Sequence, residues 1–198
     1  MRSNFEKSFE LVVGHEGGFT NDRRDRGNWT TGKIGVGELK GTKFGISAMS
    51  YPHLDIKNIT LDQAKAIYAK DFWGKAGCDQ LAIGLDYIVF DAAVNHGVSR
   101  AVKLLQAAAG AGQDGILGPK TLAAVAKKDL TKLVKEFSVQ RLMFWANIST
   151  FETYGLGWFR RGVDTTVTAL AMAGLDQSKT EPANDNEEPS LLARIWRM

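Results

Sequence analysis

The sequence predicts a mainly α fold, with a small irregular β-hairpin region beside the first helix and a helical bundle after it. Three observations predict this. Phe5, Phe9 and Val12 recur at helical spacing near the start of the chain. Residues 20–47 are then dense in Gly, Thr, Asn and charge, with short β-type pieces such as Lys33-Ile34-Gly35-Val36-Gly37 between turn signals. From Leu81 on, long helical patterns run without proline as far as Pro119.

The first helix opens with Ser3 and Glu6 placed as a capping box. Carried on, it sets Glu16 on the inward face, four residues after Val12 and seven after Phe9, before Gly17-Gly18 ends it. A carboxylate at that position meets the unfavourable end of the helix dipole and is partly desolvated. Such conditions keep a carboxylic acid protonated near neutral pH, ready to act as a general acid. A solvated glutamate near a helix end is the plainer reading. A second carboxylate nine residues on, Asp25, favours the first. The irregular region would place Asp25 across a cleft from Glu16, to orient or activate water or to stabilise developing positive charge. Asp22 is read as a turn residue and is the other candidate for that role, and His15 is read as a surface residue.

Residues 42–50 with Tyr51-Pro52-His53 form the connection to a second helix, opened by the capping box Thr60-Leu61-Asp62-Gln63 and running through Ala64, Ile67, Tyr68 and Phe72 to Trp73. Leu85, Ile88, Val89, Ala92 and Ala93 make a buried helix that Asn95-His96-Gly97 breaks. The next starts at Ser99 and runs through Val102, Leu105 and Ala109. A turn over residues 113–121 puts Pro119 at a helix start. A long helix over 130–148 follows, with Leu133, Phe137, Leu142, Phe144 and Trp145 on its apolar faces. Residues 176–190 read as a flexible linker, and residues 191–198 as a short amphipathic end with Arg194 and Arg197, too short to span a bilayer. Whether that end touches membrane, a partner, the parent domain or nothing is left open.

At 198 residues the chain has room for one domain or two small ones. Its one cysteine, Cys78, excludes an internal disulfide and fits cytoplasmic synthesis. No run of 18 apolar residues argues for a membrane span, and no secretory signal is visible after Met1. His53 and His96 each stand alone, so neither a metal nor another cofactor is expected. Net charge is +3, but from Asp176 on five acids face three bases, so the body is the more basic part. That suits an anionic polymer. A nucleic acid is not expected, since no motif for one is present.

Several short motifs in order carry a resemblance. Gly14-His15-Glu16-Gly17-Gly18-Phe19, then Asn21-Asp22, then Asp25-Arg26-Gly27, and later Gly41-Thr42-Lys43-Phe44-Gly45-Ile46-Ser47 resemble glycoside hydrolase family 108. These are N-acetylmuramidases found among phage endolysins and bacterial secretion-activator proteins. The resemblance implies a lysozyme-like fold and cleavage of the β-1,4 bond between N-acetylmuramic acid and N-acetylglucosamine in peptidoglycan, with Glu16 essential. The eight residues between Glu16 and Asp25 are similar to the spacing of phage-type lysozymes. The family's threonine, thought to help position water, maps to Thr42 by the Lys-Phe-Gly-Ile that follows it. By spacing from Asp25 it would be Thr30 or Thr31, because Asn28 to Lys40 intervene where the commoner pattern is continuous. Trp29, Asn21 and Phe19 are the substrate-binding candidates; the flat face of Trp29 suits pyranose C–H groups, and a tryptophan covering the core is the other reading. Tyr68-Ala69-Lys70-Asp71-Phe72-Trp73 looks like the aromatic close of the catalytic unit.

Further on, Phe90-Asp91-Ala92-Ala93-Val94-Asn95 looks like the opening of a peptidoglycan-binding region, and Asp114-Gly115 with Gly118-Pro119 and Thr121 resembles a signature of such modules. Gly155-Leu156-Gly157-Trp158-Phe159-Arg160-Arg161-Gly162-Val163 is similar to the family's closing motif; Arg160 and Arg161 would meet stem-peptide carboxylates or simply solvate a helix end. The expected organisation is a catalytic region over 1–76, a helical region over 77–175 that binds wall or only buttresses the cleft, and a linker with tail over 176–198. The resemblance implies a monomeric wall-lytic enzyme of endolysin type acting by acid-base catalysis on peptidoglycan. It would be made in a bacterial cytoplasm and released to the wall by a holin or a dedicated export route. A lytic transglycosylase and a non-catalytic wall-binding or secretion-activating protein are the alternatives.

Overall fold

Aromatic side chains from three helices meet at the centre of the molecule. The structure, a computed structural model, describes residues 2–14 and 18–174. Helix α1 (Arg2–Val13) supplies Phe5 and Phe9, and α2 (Leu61–Tyr68) supplies Tyr68. A π-helical turn that prolongs α2 (Ala69–Gly74) supplies Trp73, and α3 (Leu85–His96) supplies Phe90. Phe5 meets Trp73 edge-on at 5.6 Å and Phe90 at 5.9 Å, and Phe9 meets Tyr68 at 5.4 Å. Such edge-to-face pairs stabilise beyond the area they bury. Helix α3 is buried from Leu85 to Ala93, so its pattern is apolar all round rather than striped. Around it lie α4 (Val98–Ala109), α5 (Pro119–Ala126), α6 (Leu130–Ala146) and α7 (Phe151–Met172). One apolar core runs from Phe5 on α1 to Leu170 on α7.

The mainly α reading holds, and so do several of its details. Thr60 and Gln63 form the reciprocal capping box, Gly97 (φ 81°) separates α3 from α4, and Pro119 is the first residue of α5. The Asp114–Thr121 signature serves the fold. Gln106 is buried on α4; its Nε2 donates to Asp114 Oδ1 (2.7 Å), the Ile116 carbonyl (3.1 Å) and Thr121 Oγ1 (3.0 Å), and its Oε1 accepts from Gly115 N (2.9 Å). Buried amides need such partners. No helix among the described residues is long and apolar enough to cross a membrane. The linker and tail of residues 176–198 lie outside the described residues.

Four expectations are corrected. Helix α1 stops at Val13: Gly14 takes φ 62° and its N–H donates to the Glu10 carbonyl at 2.9 Å. The first available glycine makes the left-handed stop, ahead of Gly17-Gly18, so the helix ends before Glu16. The same helix is already running at Arg2, so Ser3 is not its cap, and the Glu6 carboxylate accepts from Lys65 Nζ of α2 at 2.6 Å.

Residues 33–37 form turns rather than strand, with Gly35 and Gly37 at positive φ. The two strands are β1 (Thr42–Lys43) and β2 (Ile46–Ser47), antiparallel, with Thr42 opposite Ser47 and Lys43 opposite Ile46. Phe44 (φ 50°) and Gly45 (φ 73°) join them with the two positive φ values that a tight type I′ hairpin needs. Phenylalanine is strained there; the Tyr68 hydroxyl, donating to the Phe44 carbonyl at 3.1 Å, holds it.

Arg161 does not solvate a helix end. It sits inside α7 and its guanidinium pairs with Asp91 of α3, which also takes Arg141 of α6 at 2.5 Å. Asp91 and the Arg141 side chain are both only 1% exposed. His96 Nε2 accepts from Arg141 Nε at 3.1 Å. Burial, and then the Arg141 charge, push the imidazole down to about 4. Arg160 is exposed.

Candidate active site

The segment from Phe19 to Ser50 is shaped by hydrogen bonds and not by a core of its own. Thr20 and Thr42 exchange backbone hydrogen bonds at 2.8 and 2.9 Å, so the chain entering the region lies against the hairpin. Between them the chain turns at Asp22–Asp25 and enters a single 3-10 turn (Arg26–Asn28). Asp25 caps that turn: its Oδ1 accepts from Gly27 N at 2.8 Å, and its backbone carbonyl accepts from Asn28 N at 3.2 Å. Asp25 is exposed and has no ion-pair partner among the described residues.

Asp22 is spoken for. It accepts from Arg24 Nε, Arg24 Nη2 and Arg24 N, and these bonds hold its carboxyl down at about 2. A carboxylate so held is a poor proton acceptor.

Asn28 is the buried point of the region. Its Nδ2 donates to the Asp22 carbonyl (3.0 Å), its Oδ1 accepts from Thr42 Oγ1 (2.7 Å), and its backbone carbonyl accepts from both Lys40 N and Gly41 N at 3.0 Å. The intervening stretch is therefore a closed excursion. It leaves at Trp29, which bridges Leu39, and returns to Asn28 at Lys40 and Gly41. Inside it, Thr30 Oγ1 accepts from Glu38 N (3.0 Å) and Thr31 Oγ1 donates to the Val36 carbonyl (2.7 Å). Both hydroxyls are engaged in the excursion itself, whereas that of Thr42 lies on the side of the Asp25 turn.

A cleft of about 450 Å³ opens beside these loops. Phe19, Asn21, Leu39 and Lys40 line it from one side, and His53, Leu54, Asp55, Ile56 and Lys57 from the connection to α2. Two lysines tie the walls: Lys40 Nζ donates to the Pro52 carbonyl at 2.7 Å and Lys43 Nζ to the Lys57 carbonyl at 3.1 Å.

Of the six residues singled out from sequence, Phe19 and Asn21 lie on the cleft, and Asp25 and Thr42 are joined through Asn28. Trp29 is not among the cleft's lining residues; it is half-buried and its indole N–H donates to the Arg23 carbonyl at 2.9 Å. Glu16 lies outside the described residues, with His15 and Gly17. Sequence reasoning missed Asn28, Lys40, His53 and Lys57. An asparagine three residues after a turn-capping aspartate was a usable signal for the first. Nothing in spacing announced the others, which line the cleft with Asn21 only through the tertiary fold.

Residues 9–97 match the family model of glycosyl hydrolase 108, and residues 100–163 match that of a predicted peptidoglycan domain. The first match runs through Phe90–Asn95, the motif that resembled the opening of the second region, and ends where Gly97 separates α3 from α4. The chain belongs to the glycosyl hydrolase 108 family. Among solved structures it is similar to SagA of Brucella abortus, at 31% identity and a TM-score of 0.73, over 90% of this chain and 99% of that one. No curated protein matches it.

Proposed function

We propose that the protein is an N-acetylmuramidase that hydrolyses the β-1,4 bond between N-acetylmuramic acid and N-acetylglucosamine. The observation that carries the reading is the cleft. Phe19 and Asn21, expected from sequence to touch substrate, line it, and they belong to the hydrogen-bonded loop set that holds Asp25 and Thr42. The match to a predicted peptidoglycan domain over residues 100–163 supports the polymer as partner.

In this reading Glu16 gives its proton to the glycosidic oxygen as the bond from the muramic acid C1 breaks. Positive charge spreads over C1 and the ring oxygen. Asp25, exposed and with one oxygen bound only by Gly27 N–H, takes a proton from water or faces the charge, and Thr42 holds the water. The oxygen of water adds to C1 and its released proton passes, through Asp25 where that group is the base, to solvent, from which Glu16 regains its own. Release to the wall by a holin or an export route completes the proposal, with the chain acting as a bacteriolytic enzyme.

The test is mass spectrometry of the soluble fragments that the protein, and its Glu16→Gln variant, release from purified peptidoglycan. Fragments with reducing N-acetylmuramic acid ends, absent with Glu16→Gln, are expected. Asp25→Asn should remove most of the release and Asp22→Asn little. Anhydro ends would make the protein a lytic transglycosylase and leave Asp25 without its role. Binding without release, where a known lysozyme works, would make it a non-catalytic wall-binding protein.

A further inference from the structure

We infer that Asn28 is a positioning residue for this hydrolysis: its buried amide fixes Thr42 and the Asp25 turn in one relation and sets the direction of the Thr42 hydroxyl. The inference rests on the muramidase reading and adds a residue to it.

The amide meets two unlike partners. On one side is the Asp22 carbonyl, which needs a donor; on the other is the Thr42 hydroxyl, which donates. A short side chain with one donor and one acceptor answers both, and asparagine is the one that fits. Aspartate lacks the donor when ionised, leucine lacks both groups, and glutamine is one carbon longer than the gap. The side chain is fully buried, so no water replaces a missing partner cheaply. The backbone carbonyl of the same residue closes the excursion through Lys40 N and Gly41 N. Side chain and backbone together tie three stretches of chain at a single residue.

The chemical consequence lies at Thr42. Its hydroxyl hydrogen is used on Asn28, so to any further partner the oxygen offers only lone pairs. A water bound there donates to Thr42 instead of accepting from it. With a second hydrogen given to the Asp25 carboxylate, such a water turns its own lone pair toward the sugar carbon. Without Asn28, the Thr42 hydroxyl is free to donate to that water and blunt it as a nucleophile.

The experiment is the pH dependence of kcat and KM for Asn28→Asp on soluble glycan chains from purified peptidoglycan, each value divided by that of the wild type at the same pH. The charged groups on the segments packed around the site are Asp22 with its partner Arg24, Arg23, Asp25, Arg26, Lys40 with its partner Glu38, and Lys43. While protonated, the introduced carboxyl group still donates to the Asp22 carbonyl and accepts from Thr42; once ionised it faces that carbonyl with like partial charge. The expected result is a kcat ratio near one at low pH that falls by about 100-fold as pH rises, the size of a misplaced catalytic group, with KM within about 3-fold. A flat ratio, or a fall that follows only the unfolded fraction measured by circular dichroism, would overturn the inference.

Thr42→Val keeps the question open to refutation if Asn28→Asp does not fold. It removes the hydroxyl, donor and lone pairs together, and leaves the buried Asn28 Oδ1 without that partner, so kcat per folded molecule is expected to fall with a modest loss of melting temperature. In the double variant the Asn28→Asp loss should shrink, because both act through one hydroxyl. Full additivity, or wild-type kcat in Thr42→Val, sinks the inference. A wild type that releases no reducing ends sinks the muramidase reading instead.

Discussion

Residues 18–57 and the bundle of α3, α4, α6 and α7 are held together by opposite means. The first has few buried apolar side chains, Ile46, Ala48 and Ile56 among them, and takes its shape from backbone hydrogen bonds, one buried amide and left-handed glycines. The bundle takes its shape from apolar packing, and ties α3, α6 and α7 through one knot of buried Asp91 and Arg141 with the partly exposed Arg161. Damage should therefore spread differently. A fault in the loops displaces the cleft while the chain stays folded, and a fault in the knot unfolds the chain while the cleft, where it persists, stays intact.

Asp91→Ala tests the second half and carries the largest expected effect. It leaves two guanidinium groups facing each other without their carboxylate, one of them fully buried. Removing one partner of a buried pair costs about 3–5 kcal/mol. Urea unfolding should show a loss of that order, while kcat per folded molecule at low temperature stays near the wild-type value. A lowered kcat in the folded fraction would break the comparison, because it would make the knot part of the site.

Gly41→Ala tests the first half. Gly41 has φ 84°, and a Cβ on it would press against the Thr20 carbonyl oxygen and lie 2.6 Å from the edge of the Phe19 ring. The backbone strain alone is of order 1–3 kcal/mol. Because Phe19 lines the cleft, the ring has to move, and KM should rise several-fold with the fold intact by circular dichroism. Unchanged KM would mean that Phe19 gives way without consequence for substrate, and the cleft would then need another wall.

The same contrast decides what was legible in the sequence. Apolar spacing gave the bundle helices because packing is what fixes them: Leu85, Ile88 and Val89 are buried as their pattern requires. Cap chemistry at Thr60 and Pro119 set helix starts within a residue. The loops were legible only as motifs. Which glycine stops α1, that residues 33–37 turn instead of pairing, and that Thr42 returns to Asn28 across an excursion all depend on hydrogen bonds between residues up to fourteen apart. The knot was invisible for another reason. Arg161 lies seventy residues from Asp91, and nothing local marks a buried acid that waits for two arginines.

The smallest expected effect sharpens the account of the knot. His96 at the end of α3 faces Arg141 of α6, Asp91 of its own helix, Arg161 of α7 and Arg100 of α4. Burial first and Arg141 second lower its pKa from 6.5 to about 4. The unfolded chain therefore takes up the proton before the folded one does. The stability that His96 lends is complete above pH 6.5, falls as pH drops from there to about 4, and then levels. Glutamine at this position still offers Arg141 an acceptor and does not titrate. Melting temperatures of the wild type and of His96→Gln, compared from pH 7 to 4, should diverge in that window, with the wild type losing more. The divergence should be modest, since the ring is partly exposed and solvent screens it. Parallel curves would mean that the imidazole is protonated at no cost, and that Asp91 alone balances the two arginines.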